Sequence, residues 1–348
     1  MAMTIVEITR LVTGGVDTHL DVHVAAAVDA GGGVLGVESF ATTSAGFAQL
    51  HDWLTTFGTV ARVGVEGTGA YGAGLARYLR SCDVEVIEVD RPNRQVRRRA
   101  GKSDTLDAVE AARAALSGRA SGIAKTADGN TEAIRVLLIA KRSARDTRIM
   151  CLNQIRHLGF TGPDELRERL RGVARRRLAH TAAALRPTAG TDVVTHATKV
   201  ALHTLGRRVL DLDATTGRID HELELLVRAS APGLVALDGV GIDTAAILLV
   251  AAGDNPQRLR SEAAFAHLCG VAPIEASSGK TIRRRLNRGG NRQANHALWR
   301  IVFTRMSSDE RTRKYVARRL AEGRSKPEII RILKRYVARE VYKQLRRA

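Results

Sequence analysis

Aromatic side chains are scarce in this chain: Phe, Trp and Tyr together make up 4% of its 348 residues. That scarcity argues against a single-strand binder built on rows of aromatic platforms. Cysteine is scarcer still. Cys82, Cys151 and Cys269 are odd in number and in no metal-like spacing, which suits a reducing cytosol and three small buried hydrophobes. Long apolar runs are also missing. The longest, Thr244 to Gly253, is far too short to cross a bilayer. The first residues include Glu7 and have no long apolar core, so no secretory signal is expected. These absences predict a soluble intracellular protein without a membrane partner.

The last absence is local. From Ser278 to Ala348 there are only 5 Asp and Glu against 22 Lys and Arg. The whole chain has a formal charge of +19, so most of its excess lies in this last fifth. A polyanion is the natural partner of such a surface. Arginine outnumbers lysine there, as forked contacts to phosphate or guanine require.

An apolar share of 44% is enough for real cores, and the length allows about two domains plus connectors. Period-two patterning predicts a strand over Val12 to Val24, then a run over Val24 to Val28. Gly31-Gly32-Gly33 makes a hairpin turn into a returning strand, Val34 to Phe40. Ser44 caps a helix through Phe57. A short strand ends in Glu66, a helix covers Ala73 to Ser81, a strand covers Val84 to Val89, and Asp104 opens a helix to Ser117. The order predicts a mixed α/β domain over 12–120 with helices on the faces of its sheet.

Ligands gather at strand ends in such sheets. Asp17 lies in the first strand and Glu66 ends a neighbouring one. Asp104 and Asp107, three residues apart, project from one face of a helix start. Alone, that pair reads as a cap with a dipole-favoured acid. With Asp17 and Glu66 it reads as a set of hard oxygen ligands for one or two divalent cations, in the manner of a ribonuclease-H-like domain. Gly67-Thr68-Gly69 lacks the Walker lysine and the dinucleotide spacing, so it is a tight turn exposing Glu66. The basic connector before the aspartates, including Arg98, Arg99 and Lys102, is expected to contact phosphate.

Long amphipathic stretches over Thr131 to Leu158 and Asp192 to Arg228 predict a helical coiled-coil region over 125–230, antiparallel or intermolecular and read as a dimerising arm, with a helical subdomain within one chain as the alternative. The last region, 231–348, is expected to be mainly helical. Leu237-Asp238-Gly239-Val240-Gly241 resembles a helix-hairpin-helix turn, presenting Gly239 and Gly241 amides to phosphate. Lys280, Arg283, Arg284, Arg285, Arg288 and Asn291 form a further phosphate-binding surface. Ser278 precedes a glycine in this cationic loop. By itself the loop is a flexible one, and a serine there needs a base, metal or cationic surroundings to act as a nucleophile.

The ordered set of motifs resembles the DEDD transposases of the insertion-sequence one-ten group, bridge-RNA-guided serine recombinases. They are Gly15-Val16-Asp17, Gly64-Val65-Glu66-Gly67-Thr68-Gly69, Lys102-Ser103-Asp104-Thr105-Leu106-Asp107, Leu237 to Gly241, Gly270-Val271-Ala272-Pro273, Ser278-Gly279-Lys280-Thr281 and Arg288-Gly289-Gly290-Asn291. Each is weak; their order across nearly the whole chain is specific.

The resemblance implies a RuvC-like domain whose Asp17, Glu66, Asp104 and Asp107 bind Mg2+. It implies that Ser278 attacks DNA through a phosphoserine intermediate, with the adjoining Ser277 as the competing assignment. It further implies dimers assembling into tetramers, with one protomer's acids completing another's serine site. Donor and target DNA would be chosen by a noncoding bridge RNA, in a prokaryotic, nucleoid-associated cytoplasmic setting. Arg283-Arg284-Arg285 departs from the less basic, glycine-containing segment of many members. A Holliday-junction-type metal nuclease using the same acids, or a non-enzymatic nucleic-acid-binding regulator, would share many of these features.

Overall fold

The computed structural model describes residues 10–89, 103–187, 192–255 and 258–347. They fall into two compact units, the first reaching residue 129 and including 252–260, the second holding 130–251 and 261–348.

The first unit contains β1 (Leu11–Thr18), β2 (Val22–Val28), β3 (Val34–Ala41), α1 (Ser44–Thr55), β4 (Thr59–Glu66), α2 (Ala73–Ser81), β5 (Glu85–Val89), α3 (Asp104–Leu116) and β6 (Gly122–Ile123). The sheet order is β3-β2-β1-β4-β5-β6. Strands β1, β4 and β5 are parallel neighbours, while β2, β3 and β6 run antiparallel to theirs. This is the mixed α/β sheet expected, and it fits a RuvC-like domain.

One expectation fails. Val12 to Val24 is two strands, because the chain reverses after Thr18 and Thr18 pairs with His23. The alternation continues across the turn, so periodicity alone could not reveal it. Leu20 sits in that turn and is exposed.

The two faces of the sheet bury different helices. Val12, Val16, Val63 and Val65 pack with Leu50 and Leu54 of α1 and Leu75 and Leu79 of α2. On the opposite face Ala26 packs with Ala108 and Val109 of α3. There the approach is backbone to backbone. A Cβ on Gly15 would lie 2.1 Å from the Ala112 nitrogen, and one on Gly64 would lie 2.5 Å from the Ala111 carbonyl oxygen. Gly15 and Gly64 are register partners on β1 and β4. Together they form a groove in the sheet that accepts the alanine face of α3. The segment 252–260 completes this unit at β6, where Asn255 Nδ2 donates to the Ala124 carbonyl at 3.0 Å and Arg258 Nε to that of Ile123 at 3.1 Å.

In the second unit, α4 (Asn130–Thr161) and α7 (Val193–Ser230) are the long helices. Lys141 pairs with Asp220 and Arg148 with Asp213. Partner numbers fall on one helix as they rise on the other, so the two lie antiparallel within one chain. Between them α5 (Asp164–Leu170) and α6 (Arg175–Ala183) enclose a core of Cys151, Leu152, Ile155, Leu166, Leu202 and Val209. Helix α4 runs through Gly159 to Thr161, and Pro163 precedes α5 at a position that needs no helical N–H.

The remainder is mainly helical: α8 (Pro232–Val235), α9 (Ile242–Ala252), α10 (Glu262–Leu268), α11 (Arg292–Ser308), α12 (Glu310–Ala321) and α13 (Lys326–Leu345). Strands β7 (Ile274–Glu275) and β8 (Arg284–Arg285) pair as a small hairpin. Ser325 and Glu328 form a reciprocal capping box at the start of α13. Glu262 of α10 bonds to Arg335 and lies 3.1 Å from Arg339, tying α10 to α13.

Candidate functional site

The glycine groove decides where the acids emerge. Asp17 follows Gly15 by two residues and therefore leaves the sheet on the α3 face. Glu66 stands in the same relation to Gly64, one residue past the Val16–Val65 pair. Helix α3 runs against the strand direction, so its N-terminus lies where Asp17 appears. Ser103 caps that end, accepting from the Leu106 amide at 3.2 Å. Asp104 and Asp107 follow in the first turn, where the helix dipole favours negative charge. The Thr18 hydroxyl donates to the Glu66 carbonyl at 2.8 Å and ties the two strand ends together.

The closest grouping includes a residue that the sequence motifs do not single out. His19 Nε2 lies 3.2 Å from Asp17 Oδ2 and 3.5 Å from Asp104 Oδ2. Ligand atoms of Asp17, His19 and Asp104 all fall within 4.8 Å of one another. Asp107 is buried one turn along the helix, and Glu66 is half-buried at the neighbouring strand end. Their carboxylates lie outside that tight trio. The signal for His19 was present in the alternation Asp17, His19, Asp21, His23, but the turn after Thr18 is what swings it over the acids.

Electrostatics at this point favour a cation. Burial pushes the Asp17 carboxyl above its usual range, and the Asp107 and Asp104 charges push it further, with His19 opposing them. Crowded, desolvated carboxylates with oxygen and imidazole donors are the chemistry of a divalent-ion site. The residues present fit such an ion.

The second cluster is the hairpin in the other unit. Ser278 and Thr281 exchange both backbone hydrogen bonds, at 3.2 and 3.1 Å, leaving Gly279 and Lys280 at the tip. Gly279 has φ +56°, the left-handed region that glycine adopts most readily. The two serines differ. Ser277 Oγ donates toward Glu275 Oε1 at 3.2 Å and accepts from the Arg283 amide at 3.2 Å. The Ser278 hydroxyl has no such partner among the described residues and is exposed at the tip. Lys280, Arg283, Arg284, Arg285 and Arg288 are all exposed on or beside this hairpin.

The other expected phosphate contacts divide. Gly241 is exposed with open space where a Cβ would stand. Gly239, at φ +72°, is turned inward against Arg305 and Ile301. Arg305 is buried; its Nε donates to the Asp238 carbonyl at 2.7 Å and its Nη1 to Glu340 Oε2 at 2.7 Å. Asn291 caps α11, accepting from the Gln293 and Ala294 amides at 3.0 Å each. Two distant motifs meet here: a Cβ on Gly290 would be 2.4 Å from Gly270 Cα. Arg98, Arg99 and Lys102 lie outside the described residues.

Residues 14–158 match a family model of the DEDD, IS110 type described as "Transposase", and residues 233–317 match the "Transposase IS116/IS110/IS902 family". Two stretches of the chain thus resemble IS110-type transposases, each match covering less than half of it. The chain is also similar to the insertion element IS110 uncharacterized 43.6 kDa protein of Streptomyces coelicolor, at 35% identity over 117 residues. That stretch is 33% of this chain and 29% of the relative, so the match spans less than a third of the relative's length. The DEDD domain implies use of a divalent metal. Among the described residues, no helix is long and apolar enough to cross a membrane.

Proposed function

We propose that the protein is a metal-dependent transposase and recombinase that cuts and rejoins DNA through Ser278. The observation that carries this reading is the pair of clusters: crowded acids around His19 in one unit, and a free serine hydroxyl at a cationic hairpin tip in the other.

In the proposed reaction Ser278 Oγ attacks a phosphodiester of donor or target DNA. The Oγ–phosphorus bond forms, the bond to one sugar oxygen breaks, and the serine proton ends on the departing oxygen. Attack on phosphorus by the hydroxyl of another strand reverses the step, releasing serine and completing exchange. Lys280, Arg283 and Arg284 hold the phosphate against the tip and offset its charge. Ser277 keeps the hairpin in register through the Arg283 amide and is not the nucleophile.

Asp17, Glu66, Asp104 and Asp107 would hold one or two divalent ions, Mg2+ being the ordinary choice, with His19 beside them. A bound ion would supply charge neutralisation at the scissile phosphate and support for the attacking and leaving oxygens. The acids themselves are positioned by the glycine groove, and Ser103 fixes the helix end that presents two of them.

Sequence choice is proposed to lie with a noncoding bridge RNA that pairs with donor and target. The working assembly is proposed as dimers joining into a tetramer, each site combining acids and serine from different protomers. Exposed Val136, Ile139, Ile149 and Met150 on α4 support a further helix contact along the helical region over 125–230.

A second reading follows from the crowded acids alone, since a Holliday-junction-type metal nuclease would use them to activate water and leave Ser278 idle. A strand-exchange assay separates these from a plain nucleic-acid-binding regulator. Asp104→Ala and Glu66→Ala are expected to abolish cutting and joining; unchanged activity in both would leave only the regulator. Sequencing the RNA that co-purifies with the protein tests the guide, and recovery of no discrete RNA would remove it from the mechanism.

A further inference from the structure

The few aromatic residues of the chain are not evenly spread. His296, Trp299 and Phe303 lie along one face of α11 in a continuous stack. The His296 and Trp299 rings are 5.6 Å apart with planes inclined by 25°, and the Trp299 and Phe303 rings are 5.2 Å apart at 22°. A helix facing only its own core would bury this row. Instead Trp299 is 37% exposed and Phe303 is 60% exposed.

The stack borders a hollow of about 410 Å3 lined by Arg288, Arg292, Asn295, His296, Trp299 and Lys334, with the Gly270 and Gly290 backbones at its wall. Among the described residues, no carboxylate lines it. Lys334 Nζ donates to Asn295 Oδ1 at 2.8 Å, and Asn295 is fixed in turn by donating to the Cys269 and Gly270 carbonyls at 2.9 and 3.1 Å. Burial, with the nearby Arg331 charge, lowers the Lys334 pKa. Its ammonium is therefore held in a wall that offers it no neutralising acid among the described residues.

We propose that this hollow and the His296–Trp299–Phe303 stack bind an unpaired stretch of a nucleic-acid strand, with a phosphate against Arg288, Arg292 and Lys334 and a base on the Trp299 ring. The proposal rests on the nucleic-acid reading of the C-terminal region and narrows it to single-stranded partners. A small inorganic anion would use the cations but not the exposed rings. An apolar peptide would use the rings but give Arg288, Arg292 and Lys334 no anion to meet. A nucleotide presents both a phosphate and a flat π-face. Bases inside a duplex are already stacked on each other, so only unpaired ones can occupy Trp299.

The experiment uses the full-length chain and reads tryptophan emission together with binding anisotropy. The chain has two tryptophans, Trp53 and Trp299, so Trp53→Phe isolates the second. Probes are single-stranded DNA and RNA of one sequence, the matching blunt duplex, and heparin as a polyanion without bases. Both single strands should quench Trp299 strongly, heparin should bind without comparable quenching, and Trp299→Ala should weaken single-strand binding on the order of tenfold. Trp299→Phe should retain most of the affinity, which separates lost stacking from lost folding. A difference between the two strands would identify the source, and either order supports the site.

Single strands that bind Trp299→Ala as tightly as the parent, or quenching by heparin equal to that by the strands, would overturn the proposal. Failure of every polyanion to bind the parent would overturn the nucleic-acid reading beneath it.

Discussion

Gly15 lies so close beneath helix α3 that a Cβ on it would stand 2.1 Å from the Ala112 amide nitrogen. This one approach sets the height of α3 above the sheet and so the separation of Asp104 from Asp17. Gly15→Ala must lift the helix or bend the strand. A loss of folding stability of roughly 1–3 kcal/mol is expected, the usual range for overpacking. Denaturant unfolding measures it. Any divalent-ion stabilisation of the folded variant should fall as well, because the acids part.

The proposed ion site sets folding stability against ion binding. Asp17 is desolvated beside Asp104 and Asp107, so in the ion-free protein its charge opposes folding. Asp17→Asn should leave the ion-free melting temperature unchanged or raised. The parent should gain about 2.7 kcal/mol at a free Mg2+ or Mn2+ concentration of about 100 times the dissociation constant. The variant should lose most of that gain. A thermal melt with and without ion reads both effects, and equal ion stabilisation of the two proteins would move the site elsewhere.

Arg305 holds the Gly239 turn by its bonds to the Asp238 carbonyl and Glu340. Arg305→Met keeps the volume but leaves a carbonyl and a carboxylate without their donor. A stability loss on the order of 2 kcal/mol is expected. DNA affinity should fall as well, since the exposed Gly241 amide follows the same turn.

The proposed role of the hairpin arginines is one of charge. Replacing Arg283, Arg284 and Arg285 together by Gln should weaken DNA binding with little dependence on sequence. The slope of log affinity against log salt should fall by about 1 for every phosphate that is no longer neutralised. A salt titration of parent and variant measures it, and an unchanged slope would place these arginines away from the backbone.

Much of the fold was legible in local pattern. Helix α2 has the expected bounds, Ala73–Ser81, and α3 opens at Asp104 as expected. The antiparallel pairing of α4 and α7 was one of the arrangements their length allowed. What pattern could not supply were the features that depend on close approach. The turn at His19 is hidden because alternation continues across it. Gly15 and Gly64 have the pattern of ordinary strand glycines, and only the path of α3 across them shows otherwise. The separation of Ser277 from Ser278 depends on which hydroxyl the Arg283 amide reaches, a matter of hairpin register. The low aromatic content argues against a single-strand binder built on rows of aromatic platforms. Composition averages over the chain, whereas His296, Trp299 and Phe303 share one helix face.

In the proposed mechanism Ser278 becomes covalently joined to DNA. Incubating the protein with cleavable end-labelled substrate DNA, its RNA and Mg2+, quenching in denaturant and resolving protein-bound label tests it directly. A covalent adduct is expected with the parent and with Ser277→Ala, and none with Ser278→Ala, whose melting temperature should match the parent. An adduct persisting in Ser278→Ala, or a parent that cuts DNA without ever carrying label, would contradict it.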